Sequence, residues 1–89
     1  MKIGQVVKDR YKILEVLGEG GMAFVYKAKD TQLERFVAIK TLKPNYVNQE
    51  AFVERFKREA KTAANLNHPN IVQIFDWGIE EEPFFVMEY

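Results

Sequence analysis

The chain has 89 residues, of which 47% are apolar and 29% are charged, a composition typical of one small globular domain. Thirteen Lys and Arg residues balance thirteen Asp and Glu residues, so the net charge of zero argues against a nucleic-acid-binding domain that depends on a basic surface. The lack of cysteine excludes disulfide scaffolds, and the single histidine leaves a histidine-based metal site short of ligands. No apolar run is long enough to cross a bilayer, so the sequence predicts no membrane segment and a cytoplasmic location.

Three short segments in the first half of the chain have the composition of β-strands. Residues 11–17 and 36–42 are rich in β-branched and aromatic side chains, and residues 24–29 show the alternation of side chains that a strand requires. A glycine run separates the first two segments, and the polar residues 30–34 separate the second from the third. Because both connections are short, the sequence predicts an antiparallel meander of three strands.

After Asn48 the spacing of apolar residues changes to that of a helix. At about 100° per residue, four apolar residues fall within about 40° of one direction: Phe52, Phe56, Ala63 and Leu66. The sequence therefore predicts an amphipathic helix over residues 49–67, with Asn48 as its N-cap and Glu50 in its first turn. The helix is expected to end before His68-Pro69, because the residue before a proline avoids the helical region.

Two further strand-like segments follow the predicted helix. Residues 71–77 and 84–89 are rich in β-branched and aromatic side chains, and an acidic turn at residues 78–83 joins them. The sequence thus predicts an α+β fold, a five-stranded antiparallel sheet with one main helix, in a single domain that spans residues 1–89. In chain order, three strands precede the helix and two follow it.

Three glycines stand between the first two predicted strands. Such a cluster is either a plain turn or a cover for phosphate groups, because glycine lets backbone N–H groups approach an anion closely. Taken alone, Gly18, Gly20 and Gly21 favour the plain turn. Residues 18–23 also fit the G-x-G-x-x-G/A pattern of dinucleotide-binding proteins, but that pattern has to open a helix and here a strand follows.

Two charged residues occupy positions where a charge is unexpected. Lys40 shares a strand face with Ala38, where it is either an ordinary solvated lysine or the partner of the glycine cluster. Glu59 lies within the apolar stripe of the predicted helix, and a buried carboxylate needs a cation. The sequence predicts that Glu59 is buried against Lys40. The alternative places Glu59 at the rim of the helix, where it reaches water.

Several motifs, in order along almost the whole chain, resemble those of the N-terminal lobe of a protein kinase. They are the glycine run with Val25, Val37-Ala38-Ile39-Lys40, the helical Glu59, His68-Pro69-Asn70-Ile71-Val72 and Val86-Met87-Glu88-Tyr89. The Gly20-Gly21-Met22-Ala23 form of the loop is similar to that of bacterial serine/threonine kinases of the PASTA-receptor class. Ala23 departs from the third glycine of many kinases, but a small residue there is ordinary in this subgroup. The resemblance implies a lobe that ends at the hinge, with the C-terminal lobe absent.

The resemblance implies that ATP is the cofactor and gives several residues a role toward it. Lys40 holds the α- and β-phosphates and is itself fixed by Glu59. The loop residues that cover the phosphates are Gly18, Glu19, Gly20 and Gly21. The residues around the adenine are Leu17, Val25 and Ala38 as an apolar roof, Met87 as the gatekeeper, and Glu88, whose carbonyl accepts from the adenine amino group. Ala63 is expected to continue the packed stack beside the helix, and His68 is expected to be a structural loop residue.

The resemblance also implies that part of the chemistry lies outside these residues. Phosphoryl transfer requires a base and two metal-binding side chains, which kinases take from His-Arg-Asp and Asp-Phe-Gly motifs, and neither motif occurs here. Mg²⁺ is therefore expected to be held by the absent lobe, and this fragment alone is expected to be inactive. The parent is expected to phosphorylate Ser/Thr of protein substrates, as a cytoplasmic protein or as a membrane-anchored one with a cytoplasmic kinase domain.

A non-catalytic role in dimerisation or docking is the alternative. Kinases of the PASTA class dimerise through the back of the N-terminal lobe, and the oppositely charged Arg10 and Asp76 are the candidate contacts of such a homodimer. Affinity for ATP separates the two classes of function, because a purely structural module has no need to bind nucleotide.

Overall fold

The computed structural model describes residues 1–65 and 73–89 of the chain. In chain order its elements are β1 (Val6–Val7), β2 (Tyr11–Glu19), β3 (Ala23–Asp30), β4 (Arg35–Leu42), a short 3₁₀ turn (Pro44–Tyr46), α1 (Glu50–Asn65), β5 (Ile74–Ile79) and β6 (Pro83–Glu88). The predictions on the side chain of Ala63 and on residues 66–72, including the loop with His68-Pro69, lie outside the described residues.

The strands form an antiparallel sheet with the order β1-β2-β3-β4-β6-β5. The predicted α+β class and the meander of β2, β3 and β4 are confirmed, but the predicted number of five strands is wrong, since the described residues form six. The additional strand, β1, has two residues, which pair as Val6 with Lys12 and Val7 with Tyr11. Two residues are too few to show the alternation by which a strand is recognised in a sequence.

β2 continues into the glycine run instead of stopping before it. Its predicted end was residue 17, whereas the strand reaches Glu19, and Gly18 pairs with Val25 of β3. A shift in register leaves Leu17 as an extra residue, which is a β-bulge. The hairpin connection between β2 and β3 is thereby reduced to residues 20–22.

Apolar side chains cover both faces of the sheet. On one face the buried residues are Val7, Tyr11, Ile13, Tyr26, Ala28, Val37, Ile39, Phe84 and Val86. On the other face Leu42 and Phe85 pack against Phe56 of α1, and each of the three is at most 3% exposed. The rings of Phe56 and Phe85 lie 5.0 Å apart, centroid to centroid. By alternation along β4, the face covered by α1 is also the face from which Lys40 projects.

α1 begins close to the predicted position, but with a different first residue. The carbonyl of Gln49 accepts hydrogen bonds from the N–H groups of Phe52 (3.0 Å) and Val53 (3.1 Å). Gln49, and not the predicted Asn48, is therefore the residue that opens the helical hydrogen-bond pattern. Glu50 lies in the first turn as predicted, where the helix dipole favours its charge.

The side of α1 that meets the sheet differs from the predicted apolar stripe. Phe56 is buried, and Val53 and Ala60 pack against the same core. At about 100° per residue these three side chains centre about 90° away from Glu59. The predicted stripe left out Val53 and Ala60. Because these two side chains are also packed on the core, the buried side of the helix is turned away from the Glu59 carboxylate. Glu59 therefore lies at the rim of the helix, and the prediction that it is buried is wrong.

Candidate functional site

A row of paired residues crosses the sheet through both the glycine-rich hairpin and Lys40. Gly18 of β2 pairs with Val25 of β3, Val25 pairs with Lys40 of β4, and Lys40 pairs with Phe85 of β6. Directly paired residues project on the same face, so Val25, Lys40 and Phe85 share the face covered by α1. Neighbouring strands lie about 4.8 Å apart, which places the backbone of Gly18 about 10 Å from that of Lys40.

Lys40 and Glu59 are in direct contact. Nζ of Lys40 donates a hydrogen bond to Oε1 of Glu59 at 2.5 Å, so the ion pair links β4 to α1. The side chain of Lys40 is 26% exposed and that of Glu59 is 48% exposed, so water reaches a pair that was predicted to be buried. Because water screens such a pair, it orients Lys40 more than it stabilises the fold.

The glycines of the hairpin are not explained by the hairpin itself. The backbone of Gly18, Gly20 and Gly21 lies outside the left-handed region, and among the described residues no atom lies within 4 Å of a Cβ added at Gly18 or Gly21. Gly78 differs, because a Cβ there would lie 2.9 Å from Cζ of Phe84. Packing therefore accounts for Gly78, whereas the hairpin glycines leave room for a ligand that approaches the backbone from outside.

The apolar residues predicted to surround adenine lie beside Lys40. Ala38 of β4 pairs with Met87 of β6, one row along the sheet from Lys40 and on the same face. Ala38 is 4% exposed, and Val25 and Met87 are half-buried. Leu17, in the bulge of β2, is 44% exposed. The structure thus brings an apolar surface and a cation together on one face of the sheet.

Two of the predicted site residues project from the opposite face. Glu88 pairs with Val37, which belongs to the core on the face away from α1, and Glu19 pairs with Phe24, which packs against that core. Neither glutamate side chain therefore points toward the face of Lys40. Only the backbone atoms of Glu19 and Glu88 can contact a ligand beside Lys40. For Glu88 the resemblance implies such a contact, through its carbonyl.

Lys43 contacts the hairpin, although no pattern in the sequence pointed to it. Its Nζ donates to Oε2 of Glu19 at 2.7 Å and lies 5.0 Å from the centre of the Phe24 ring. Glu19 is 24 residues away along the chain. A lysine just beyond a strand is most often solvated, so only the register of β2, β3 and β4 reveals this pair.

The two charges predicted to join two copies of the chain have partners within it. Nη2 of Arg10 donates to Asp30 at 2.8 Å, and Asp76 accepts from Nζ of Lys8 at 2.9 Å and from the hydroxyl of Tyr11 at 2.8 Å. Burial by itself raises the pKa of Asp76, but the hydrogen bonds from Lys8 and Tyr11 bring that pKa below its usual value. A contact between Arg10 and Asp76 of two copies stays a prediction, and no described contact favours it.

Other features of the described part of the chain do not mark a second site. A cavity of about 650 Å³ lies between α1 and the strands β5 and β6, and its lining includes Phe56 and Trp77 but neither Lys40 nor Glu59. Within residues 1–65 and 73–89, no three His, Asp or Glu side chains cluster as metal ligands do. The helices of that same part include none with the length and apolarity of a membrane span.

Sequence comparisons match nearly all of the chain. Residues 11–89 match the family model described as the protein kinase domain. The chain is 52% identical over 90 residues to serine/threonine-protein kinase PrkC of Bacillus subtilis (strain 168), with 100% of this chain and 14% of that protein covered. It is 45% identical over 94 residues to serine/threonine-protein kinase PknB of Mycolicibacterium smegmatis, with 100% of this chain and 15% of that protein covered. The chain thus spans a small part of the length of these relatives.

Solved structures match the fold over the whole chain. The chain superimposes on a structure titled "PpkA-294 apo form" with a TM-score of 0.88 and 25% identity, covering 100% of this chain and 38% of that one. It superimposes on the PknI kinase domain of Mycobacterium tuberculosis with a TM-score of 0.77 and 29% identity, covering 100% of this chain and 36% of that one.

Proposed function

Because the chain belongs to the protein kinase domain family, we propose that residues 1–89 form the N-terminal, ATP-binding lobe of a serine/threonine protein kinase. The names of the similar proteins, which are serine/threonine-protein kinases, support this class of activity. The relatives named above come from bacteria, which supports the bacterial origin that the resemblance implies. The proposed substrates are ATP and Ser/Thr side chains of proteins, and the proposed location is the cytoplasm.

The contact between Lys40 and Glu59 is the observation that carries the proposal. A cation held on the sheet by a carboxylate of the main helix, in register with Gly18, has the geometry expected of the lysine that holds the α- and β-phosphates of ATP. The hairpin glycines support the same role, since they allow backbone N–H groups to approach phosphates and packing does not require them.

We assign the adenine to the apolar surface on the same face. Val25 and Ala38 would lie above the ring and Met87 at the back, while Leu17 extends the roof toward solvent. The carbonyl of Glu88 would accept a hydrogen bond from the adenine amino group. When bound, ATP supplies the γ-phosphoryl group that is transferred, and these residues orient the nucleotide and hold its charge.

The catalytic base and the ligands of Mg²⁺ belong to residues outside this segment in the proposed kinase. The 89 residues contain neither a His-Arg-Asp nor an Asp-Phe-Gly motif. We therefore propose that they contribute the phosphate clamp and do not transfer phosphate by themselves.

Substitution of Lys40 in the complete protein that contains these residues tests the proposal. Lys40→Met is expected to abolish phosphate transfer from ATP to a protein substrate, with the free energy of unfolding changed by no more than about 0.5 kcal/mol. Glu59→Gln is expected to lower the rate about tenfold or more, because Lys40 loses the carboxylate that orients it. Lys12, exposed on β2, provides the matched control, and Lys12→Met is expected to leave transfer unchanged.

Two results would contradict the proposal in different ways. Full turnover by the Lys40→Met protein would show that Lys40 does not hold the phosphates of ATP. A folded wild-type protein with no affinity for ATP, measured by calorimetric titration, would favour the non-catalytic alternative of docking or dimerisation.

A further inference from the structure

Lys43 holds the glycine-rich hairpin by both its backbone and its side chain. Its N–H donates to the carbonyl of Met22 at 2.8 Å, on the β3 side of the hairpin. Its Nζ donates to Glu19 at 2.7 Å, on the β2 side. The Lys43 side chain is 15% exposed, whereas that of Glu19 is 59% exposed. One residue therefore links both ends of the loop to the end of β4.

The pair of Lys43 and Glu19 lies on the face of the sheet opposite Lys40. Glu19 pairs with Phe24 and Phe24 pairs with Thr41, so this row alternates with the row of Gly18 and Lys40. Lys43 lies near the ring of Phe24 in the same row. The ion pair thus keeps the Glu19 carboxylate away from the surface to which the phosphates are assigned.

We infer that Lys43 is a positioning residue for the nucleotide, an inference that rests on the proposed function. It fixes the hairpin over the phosphates, and it keeps the negative charge of Glu19 on the far side of the sheet. Without the ammonium, the hairpin loses its side-chain link to the end of β4, and the unpaired carboxylate, one residue away from both Gly18 and Gly20, is free to turn and repel the phosphates.

This inference predicts an unequal effect of the two partners. Lys43→Gln loosens the hairpin and leaves an unpaired carboxylate beside the phosphates, whereas Glu19→Gln loosens the hairpin without leaving that charge. The affinity for ATP is therefore expected to fall about two- to fivefold in Lys43→Gln, the scale of one lost ion pair, and to fall less in Glu19→Gln. The double variant is expected to bind ATP more tightly than Lys43→Gln alone.

The experiment measures the dissociation constants of ATP and of adenosine for the complete protein and its variants. Adenosine has no phosphate, so its affinity is expected to stay within about twofold of the wild-type value in Lys43→Gln while the ATP affinity falls. Lys43→Arg retains the cation and is expected to restore ATP affinity. Lys12→Gln is the matched control on an exposed lysine of β2. Amide hydrogen exchange at Gly20, whose N–H donates to the carbonyl of Ala23 at 2.8 Å, is expected to be faster without nucleotide in Lys43→Gln than in the wild type.

The possible outcomes separate this inference from the proposed function. A wild-type protein that binds no ATP contradicts the proposed function. Unchanged amide exchange at Gly20 in Lys43→Gln contradicts the role of Lys43 independently of ATP binding. A wild-type protein that binds ATP, together with equal losses of ATP and adenosine affinity in Lys43→Gln, shows a general structural role and overturns the inference. If the double variant binds ATP no more tightly than Lys43→Gln, the charge of Glu19 does not repel the phosphates, and that part of the inference is wrong. If Lys43→Gln does not fold, the ATP affinities of Lys43→Arg and Glu19→Gln still test the inference. Equal ATP affinity in Glu19→Gln and the wild type would overturn the inference.

Discussion

Arg10 and Asp30 form two parallel hydrogen bonds, from Nε to Oδ1 at 2.9 Å and from Nη2 to Oδ2 at 2.8 Å. The Asp30 carboxylate has no exposed surface, and its Oδ1 also accepts from the N–H groups of Gln32 (3.0 Å) and Leu33 (3.1 Å). One carboxylate thus shapes the turn after β3 and fastens it to the turn before β2. Removing one partner of a buried ion pair destabilises the fold strongly, because the other charge is then left buried without a partner.

Stability is expected to depend on the ionisation of Asp30. The hydrogen bonds from Arg10, together with those from the N–H groups of Leu33 and Gln32, lower the pKa of Asp30 from 3.8 to about 2 against the opposing effect of burial. The folded state therefore binds this proton less readily than the unfolded state. The contribution of Asp30 to stability is fully present above about pH 4 and is lost as the pH falls through about 2. Urea unfolding at a series of pH values from 5 to 2 measures this loss.

The variant Asp30→Asn is the control for the pH series. It keeps the shape of the side chain but removes the charge, so it is expected to lower the free energy of unfolding by about 2 to 4 kcal/mol near neutral pH. The difference between the wild type and Asp30→Asn is expected to shrink toward pH 2. A difference that stays constant from pH 5 to 2 would show that another group titrates.

Replacing Glu34 by glycine is expected to stabilise the fold. Glu34 is exposed in the turn between β3 and β4, and its φ of 51° lies in the left-handed region, where a Cβ is unfavourable. Glu34→Gly removes that strain and is expected to raise the free energy of unfolding by about 0.5 to 1 kcal/mol, after the greater entropy of glycine in the unfolded chain is counted. Glu34→Ala retains the Cβ and is expected to give no such gain. Equal midpoints of urea unfolding for the two variants would show that backbone strain is not the cause.

Two glycine-to-alanine substitutions are expected to have opposite consequences. In Gly78→Ala the new Cβ meets the buried ring of Phe84, so the free energy of unfolding is expected to fall by about 1 to 3 kcal/mol. In Gly21→Ala the new Cβ meets open space, so stability is expected to stay within about 0.5 kcal/mol of the wild type. ATP affinity, in contrast, is expected to fall in Gly21→Ala, because the proposed phosphate site needs close access to the backbone. A strongly destabilised Gly21→Ala protein would mean that the hairpin glycines serve the fold.

The hydroxyl of Tyr11 is expected to remain protonated in strongly basic solution. Burial and the hydrogen bond to Asp76 raise the pKa of Tyr11 from 10.0 to about 12. The ultraviolet titration of tyrosinate is expected to show one tyrosine that ionises near pH 12, and Tyr11→Phe is expected to remove that step. The same variant is expected to lower stability at pH 7 by about 1 kcal/mol, because Asp76 loses one donor but keeps Lys8. If the late step remains in Tyr11→Phe, another tyrosine is responsible.

The local patterns of the sequence predicted most of the strands and the contact between Lys40 and Glu59. Richness in β-branched and aromatic side chains located β2, β4 and β6 within a few residues, and alternation of side chains located β3. The charge of Glu59 within the predicted apolar stripe of the helix predicted a cationic partner, and Lys40 is in contact with it. These features were visible because each depends on residues that are close in sequence or on one conspicuous charge.

Tertiary structure decided what depends on pairing over long distances. α1 is rotated so that Val53, Phe56 and Ala60 pack on the sheet, and this rotation leaves Glu59 exposed. A helical wheel drawn from the sequence does not show which of the apolar residues will meet the sheet. The pair of Lys43 and Glu19 follows from strand register, because residues 24 positions apart meet only after the meander has formed. Sequence alone fixes which side chains alternate or repeat, whereas the direction and partner of each one are set by the free energy of packing the whole sheet and helix together.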